Sequence, residues 1–210
     1  MKHETRMLML SAALAAFMLP AAAQTSTPDP AQPPVQQNKM KPGQRAENQQ
    51  DRISRGIADG ELTPGEASKL ESDEAKINRE AARMKAANGG KLSAADREKL
   101  QRQQNYMSHQ IYKDAHNNRT VSQDPKSEVG KRMDRQQDRI AQGVNSGQLT
   151  AGEASRLEKE DAAIGREVQR DRAANGGTLT PAERQKVNRQ ENHVSKQIYG
   201  AKHNNRRTSR

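Results

Sequence analysis

The residues of this chain best equipped for recognition or chemistry lie in one eleven-residue pattern that occurs twice. Ser108-x-Gln110-Ile111-Tyr112-x-x-x-His116-Asn117-Asn118 recurs as Ser195-x-Gln197-Ile198-Tyr199-x-x-x-His203-Asn204-Asn205. Tyr and His are four apart in both, so on a helix the phenol and the imidazole share one face. Such an imidazole could ligate a metal if a second strong ligand stood nearby. His109 offers one in the first pattern, but Lys196 takes its place in the second, so no shared pair of histidines forms. The plainer role is helix termination, because a histidine near a C-terminus meets the negative end of the helix dipole and asparagine tolerates the left-handed stop. Gln110, Tyr112, His116, Gln197, Tyr199 and His203 are therefore the candidate contacts to a partner, and no metal site is assigned.

Catalysis has less to stand on. The chain has no Cys, which removes thiolate nucleophiles, thiolate metal sites and disulfides together. Its carboxylates are spread along stretches that read as solvated helix, where nothing would raise a pKa. Ser, His and Asp occur without a motif that would assemble them. No catalytic residue and no cofactor are assigned, and the chain reads as a non-enzyme.

Formal net charge is +10, which invites an anionic partner, but the charge is distributed. Residues 48–118 carry net +1 and residues 135–205 net +3, while Arg206, Arg207 and Arg210 add +3 in a short tail. Those three arginines are the candidate anion contacts. Phe17 is the only Phe, Trp is absent, and the three Tyr make no stacking platform for single strands. Intracellular nucleic acid is accordingly not an expected partner.

What must position these residues is a duplicated unit. Gln49–Asn118 aligns without a gap on Gln136–Asn205 at an offset of 87, with 39 of 70 positions identical. In the first copy a short helix around Ala46 to Ala58 runs out at Gly60. Leu62-Thr63-Pro64-Gly65-Glu66 then has the make-up of a capping box with proline at the first helical position. A long helix follows to about Ala87 and is stopped by Asn88-Gly89-Gly90. Leu92-Ser93-Ala94-Ala95-Asp96 opens a third helix to about His116, and Leu149-Thr150-Ala151-Gly152-Glu153 and Leu179-Thr180-Pro181-Ala182-Glu183 are the matching starts in the second copy.

Apolar residues make a narrow stripe on the long helices, as at Leu70, Ile77 and Met84 or Leu157, Ile164 and Val168, interrupted by Glu74, Gln103 and Asp161. The expected fold is all-α: two tandem three-helix units, one short and two long helices each, with coiled-coil-like seams. Beyond residue 23 there are only seven Leu, seven Ile and seven Val. Each unit should therefore be marginal alone and gain from packing on its twin or on a partner.

Residues 1–23 read as an export signal: Lys2 and Arg6, an apolar run from Met7 to Leu19, and Ala21-Ala22-Ala23 before Gln24. That places the mature chain in the periplasm or outside the cell, with no membrane span. Residues 24–47 form a Pro/Gln-rich disordered linker, 119–134 a second linker that would let the units move independently, and 206–210 the basic tail.

Three resemblances add to this reading. Asp59-Gly60-Glu61-Leu62-Thr63-Pro64-Gly65-Glu66 resembles the back half of an EF-hand loop, although Arg55 and Ile57 stand where the early oxygen ligands belong. Leu-Thr/Ser-x-x-Glu/Asp is similar to the Leu-Thr-x-x-Gln motif of small periplasmic helical stress chaperones, with Glu66, Asp96, Glu153 and Glu183 in place of Gln. That likeness implies a helical periplasmic protein that shields unfolded clients or senses envelope stress. The whole unit also resembles uncharacterised exported bacterial helical-repeat proteins. The expected function is a non-catalytic, chaperone-like or stress-related protein-binding module, with envelope or unfolded proteins as partners. The alternative is a binder of anionic envelope polymers such as lipopolysaccharide, cell wall or extracellular nucleic acid.

Overall fold

The computed structural model describes residues 40–121 and 125–208. The expected export signal, most of the 24–47 segment and Arg210 lie outside the described residues. What is described is all helix and turn: α1 Pro42–Ala58, α2 Pro64–Ala87, α3 Ala94–Ala115, α4 Glu128–Asn145, α5 Ala151–Ala174 and α6 Pro181–Lys202. No described helix is long and apolar enough to cross a membrane. Helix α1 begins at Pro42 and α4 at Glu128, both inside stretches read as linker. Proline is preorganised for a first helical position, and the Ser127 hydroxyl accepts from the Gly130 N–H to start α4.

The four long helices begin with the chemistry expected of them. Thr63 Oγ1 accepts from the Glu66 N–H at 3.4 Å while Glu66 Oε2 accepts from the Thr63 N–H at 3.1 Å. The same reciprocal pair forms at Ser93/Asp96, Thr150/Glu153 and Thr180/Glu183. The short helices end in a tighter device. Leu62 N–H donates to the Gly56 carbonyl at 2.8 Å, and a Cβ on Gly56 would meet the Leu62 side chain at 2.8 Å. Gly143 and Leu149 repeat the arrangement. Glycine there lets the fully buried leucine fold back onto its own helix.

A thin apolar seam suffices because polar side chains complete the contact between the short helix and the third helix of each unit. Gln49 Nε2 donates to the Gln104 carbonyl at 2.6 Å and to Ser108 Oγ at 2.8 Å, and Arg45 reaches Asn105 Oδ1. In the second unit Gln136 reaches the Glu191 carbonyl at 3.1 Å and Arg132 reaches Asn192 Oδ1 at 3.2 Å.

The two units, joined by the segment read as a linker, pack on one another. Helix α2 lies along α5 and α1 along α4, while α3 and α6 flank this central layer. Ser68 Oγ donates to the Ser155 carbonyl and Ser155 Oγ to the Ser68 carbonyl, each at 2.8 Å. Since Ala75 lies against Gly152 at the same time, α2 and α5 run antiparallel about a pseudo-two-fold axis near that serine pair. Ala141 of α4 belongs to the core of the first unit.

Candidate functional site

The recurring Tyr-His-Asn ends form a clasp within each unit. Tyr112 stacks on His116 with ring centroids 4.1 Å apart, and Tyr199 on His203 at 4.0 Å. Each imidazole Nδ1 stands 2.8 Å from the carbonyl of its tyrosine, at the helix C-terminus. Asn117 Nδ2 donates to Glu66 Oε1 at 2.8 Å, and Asn204 Nδ2 to Glu153 Oε1 at 2.8 Å. One carboxylate thus caps the start of the second helix and also ties down the end of the third. At Glu153, burial acts to raise the pKa, but hydrogen bonds from Thr150 and Asn204 outweigh it and hold the carboxyl below its usual range.

The chain then turns back on its own unit. Val121 N–H donates to the Gly60 carbonyl at 2.8 Å, and Thr208 N–H to the Gly147 carbonyl at 3.1 Å. The described part of the basic tail follows this path. Arg206 N–H donates to Asn204 Oδ1 at 2.7 Å, and Arg207 donates to the Arg206 carbonyl at 2.9 Å. Of the six candidate partner contacts, Gln110 and Gln197 are half-buried, and Tyr112 and Tyr199 are 39% and 62% exposed. His116 and His203 are exposed but held by the stacking. Neither clasp belongs to a group of three or more metal-ligating side chains among the described residues.

The carboxylates correct the sequence reading, which spread them along solvated helix. Glu71, Glu74, Glu158, Asp161 and Glu191 are each 0% exposed. Glu71 and Glu158 occupy matching positions of α2 and α5, and Glu74 and Asp161 follow one turn later, close to the pseudo-two-fold axis. Gln50 of α1 donates to Glu71 at 3.0 Å, and Gln137 of α4 donates to Glu158 at 3.0 Å and to Asp161 at 2.8 Å. Gln136 donates to Glu191 at 2.6 Å. Both Glu74 oxygens lack a well-formed hydrogen bond, with the Asn78 amide one turn on standing nearby.

Among the described residues no Lys or Arg makes a salt bridge to any of the five. Burial accordingly pushes the Glu71 and Glu74 carboxyls up to about 8 and those of Asp161 and Glu191 to about 7. Glu158 goes well above its ordinary value, through burial first and the charge of Asp161 second. Below about pH 7 this is a layer of neutral acids. A sequence signal existed in the identical spacing of acids inside both apolar stripes, though only the packing of α1, α4 and the opposite long helix on them makes them buried.

A second feature missed from sequence is a groove of about 680 Å³ between the first half of α1, the middle of α2 and the start of α3, completed from unit two by Val144, the start of α5 and residues 207 and 208. Ala46, Ala75, Ile77, Ala81 and Leu100 form its apolar walls. In unit two the matching positions of Ala46 and Ala81 are Met133 and Val168, which pack into that unit's core together with Val129. Gly165, matching Asn78, leaves room for Met133, whose Cε would lie 3.2 Å from a Cβ built there. The signal lay among the positions where two otherwise matching copies differ. No family model, curated protein or solved structure matches this chain.

Proposed function

We propose that this chain is a non-catalytic protein-binding module that works in the periplasm or outside the cell, in a chaperone-like or envelope-stress role. The observation that carries the reading is this groove, open where Met133 and Val168 pack against the core at the matching place of unit two. A concave, mostly apolar surface with a few polar groups at its edge is what a partner side chain needs. The carboxylate layer gives catalysis no comparable support, because all five of its acids are buried away from solvent.

The test is photocrosslinking in intact cells that export the chain, with a benzophenone side chain replacing Ala82 in unit one or Gln169, its counterpart in unit two. Protein adducts from position 82 and few from position 169 are the expected result. An absence of protein adducts at both, or adducts with glycan and lipid alone, would overturn the reading.

A further inference from the structure

The second unit shows what the first unit's groove is shaped to hold. Through the pseudo-two-fold, Pro42, Ala46, Asn78 and Ala81 correspond to Val129, Met133, Gly165 and Val168. Where unit two supplies a methionine from its short helix, laid over a glycine of α5, unit one has Ala46 and Asn78, both lining the groove. The walls beyond this point are alike, since Leu100 and Val187 are both fully buried and Ile77 and Ile164 nearly so. Unit two thus fills, with one long aliphatic side chain and a valine, a place that stays open in unit one as part of a longer groove running on to Val144, Gly152 and Arg207.

The rim differs as well. In unit two Arg172 donates to Ser127 Oγ at 2.9 Å, joining α5 to the start of α4 across the mouth. The matching residues in unit one are Lys85 and Met40, so that tie has no counterpart and Lys85 lines the groove. Arg79 and Arg207 stand on the same rim, against Glu47 as the single acid. Neither Arg79 nor Lys85 makes a salt bridge among the described residues. An apolar slot under a cationic edge selects an apolar anchor with negative charge beside it.

We infer that the unit-one groove receives a methionine-sized aliphatic side chain from a linear segment of a partner protein, with Asp or Glu flanking that anchor to meet Lys85 and Arg79. This rests on the protein-binding reading and narrows it to one class of ligand. A methionine suits such a slot because its unbranched, polarisable side chain adapts to an irregular cavity. The chain's own segment before α1 fits poorly, as its last four residues before Met40 are Gln36, Gln37, Asn38 and Lys39.

The experiment uses the mature chain from Gln24 and fluorescein-labelled decapeptides read by anisotropy. The peptides carry a central Met flanked by Glu, by Ser or by Lys, or a central Ala flanked by Glu. The expected order is tightest for Met with Glu, weaker for Met with Ser, and weakest for Met with Lys and Ala with Glu. The triple variant A46M/N78G/A81V transplants unit two's own residues, so it should keep the helical circular dichroism and cooperative melt of the parent. It should bind the Met-Glu peptide at least about tenfold more weakly, about 1.4 kcal/mol. Lys85→Glu should weaken the Glu-flanked peptide and favour the Lys-flanked one.

Undiminished binding by a well-folded triple variant would overturn the inference, as would equal binding of Glu- and Lys-flanked peptides. Displacement of the Met-Glu peptide by a synthetic peptide of residues 24–39 would also overturn it, assigning the groove to the chain itself. The two readings fail separately. Protein adducts at position 82 without the peptide preference would sink only the acidic-anchor ligand, whereas the peptide preference without cellular adducts would sink the module's proposed role.

Discussion

At the scale of single residues, the motif that looks most like a binding site is chiefly a fastening. Asn117 and Asn204 each join a third helix to the capping glutamate of a second helix, 51 residues earlier in the chain. The asparagine and histidine at a helix end were readable as a stop signal, but that long-range partner was not, because a local pattern carries no address for a group so far away. Asn204→Ala removes the donor to Glu153 and the acceptor for the Arg206 N–H. It should lower the stability of the chain by about 1–2 kcal/mol. Tyr199→Ala, at a side chain 62% exposed, should change it by less than about 1 kcal/mol. Urea unfolding of both variants checks this, and a larger loss for Tyr199→Ala than for Asn204→Ala would show that the stack, rather than the clasp, holds the helix end.

At the scale of elements, the caps and stripes of α1–α6 followed from residue type and spacing, and the carboxylate layer did not. Glu74 and Asp161 were visible as breaks in the apolar stripe; Glu71 and Glu158 looked like ordinary acids of a solvated face. Burial there is decided by a second helix laid along the first, which the periodicity of one helix cannot encode. The consequence is a dependence on pH. Each of these carboxyls titrates higher in the folded chain than its ordinary value of about 4, so the folded state holds more protons than the unfolded one. Stability is then fullest below the ordinary carboxyl range and declines as pH rises from about 4.5 through 7 to 8, the folded values of Asp161, Glu191, Glu71 and Glu74.

The groups facing the layer are the amides of Gln50, Gln136, Gln137 and Asn78, with Arg132 acting at a distance on Glu191 and Glu160 on Asp161. None supplies a close counter-charge. Melting temperature should therefore fall between pH 5 and pH 9. Glu71→Gln combined with Glu158→Gln should flatten that fall and stabilise the chain at pH 9 by about 1–3 kcal/mol, the cost of leaving a buried polar group uncompensated. A melting temperature that rises over the same interval would contradict the assignment of these acids as buried and neutral.

At the scale of the molecule, the chain is an internal pair. The reciprocal bonds between Ser68 and Ser155 are what two identical subunits make across a two-fold axis, here written into one polypeptide. The contact between α2 and α5 is the most extensive of all helix pairs. Most residues on its two sides are the same in both copies, including Ala67/Ala154, Ser68/Ser155, Glu71/Glu158 and Ala75/Ala162. A fragment comprising residues 24–121 therefore retains a nearly self-complementary surface, and it lacks the Ala141 that unit two contributes to its core. Such a fragment should be poorly helical as a monomer and gain helix with concentration as it forms a homodimer on the α2 face. Sedimentation and circular dichroism over a concentration series read both quantities at once. The dimer should weaken above pH 8, where two Glu71 side chains brought together near the axis would ionise. A fragment fully helical and monomeric at every concentration would mean that each unit folds unaided, and that the pairing serves only to orient the groove.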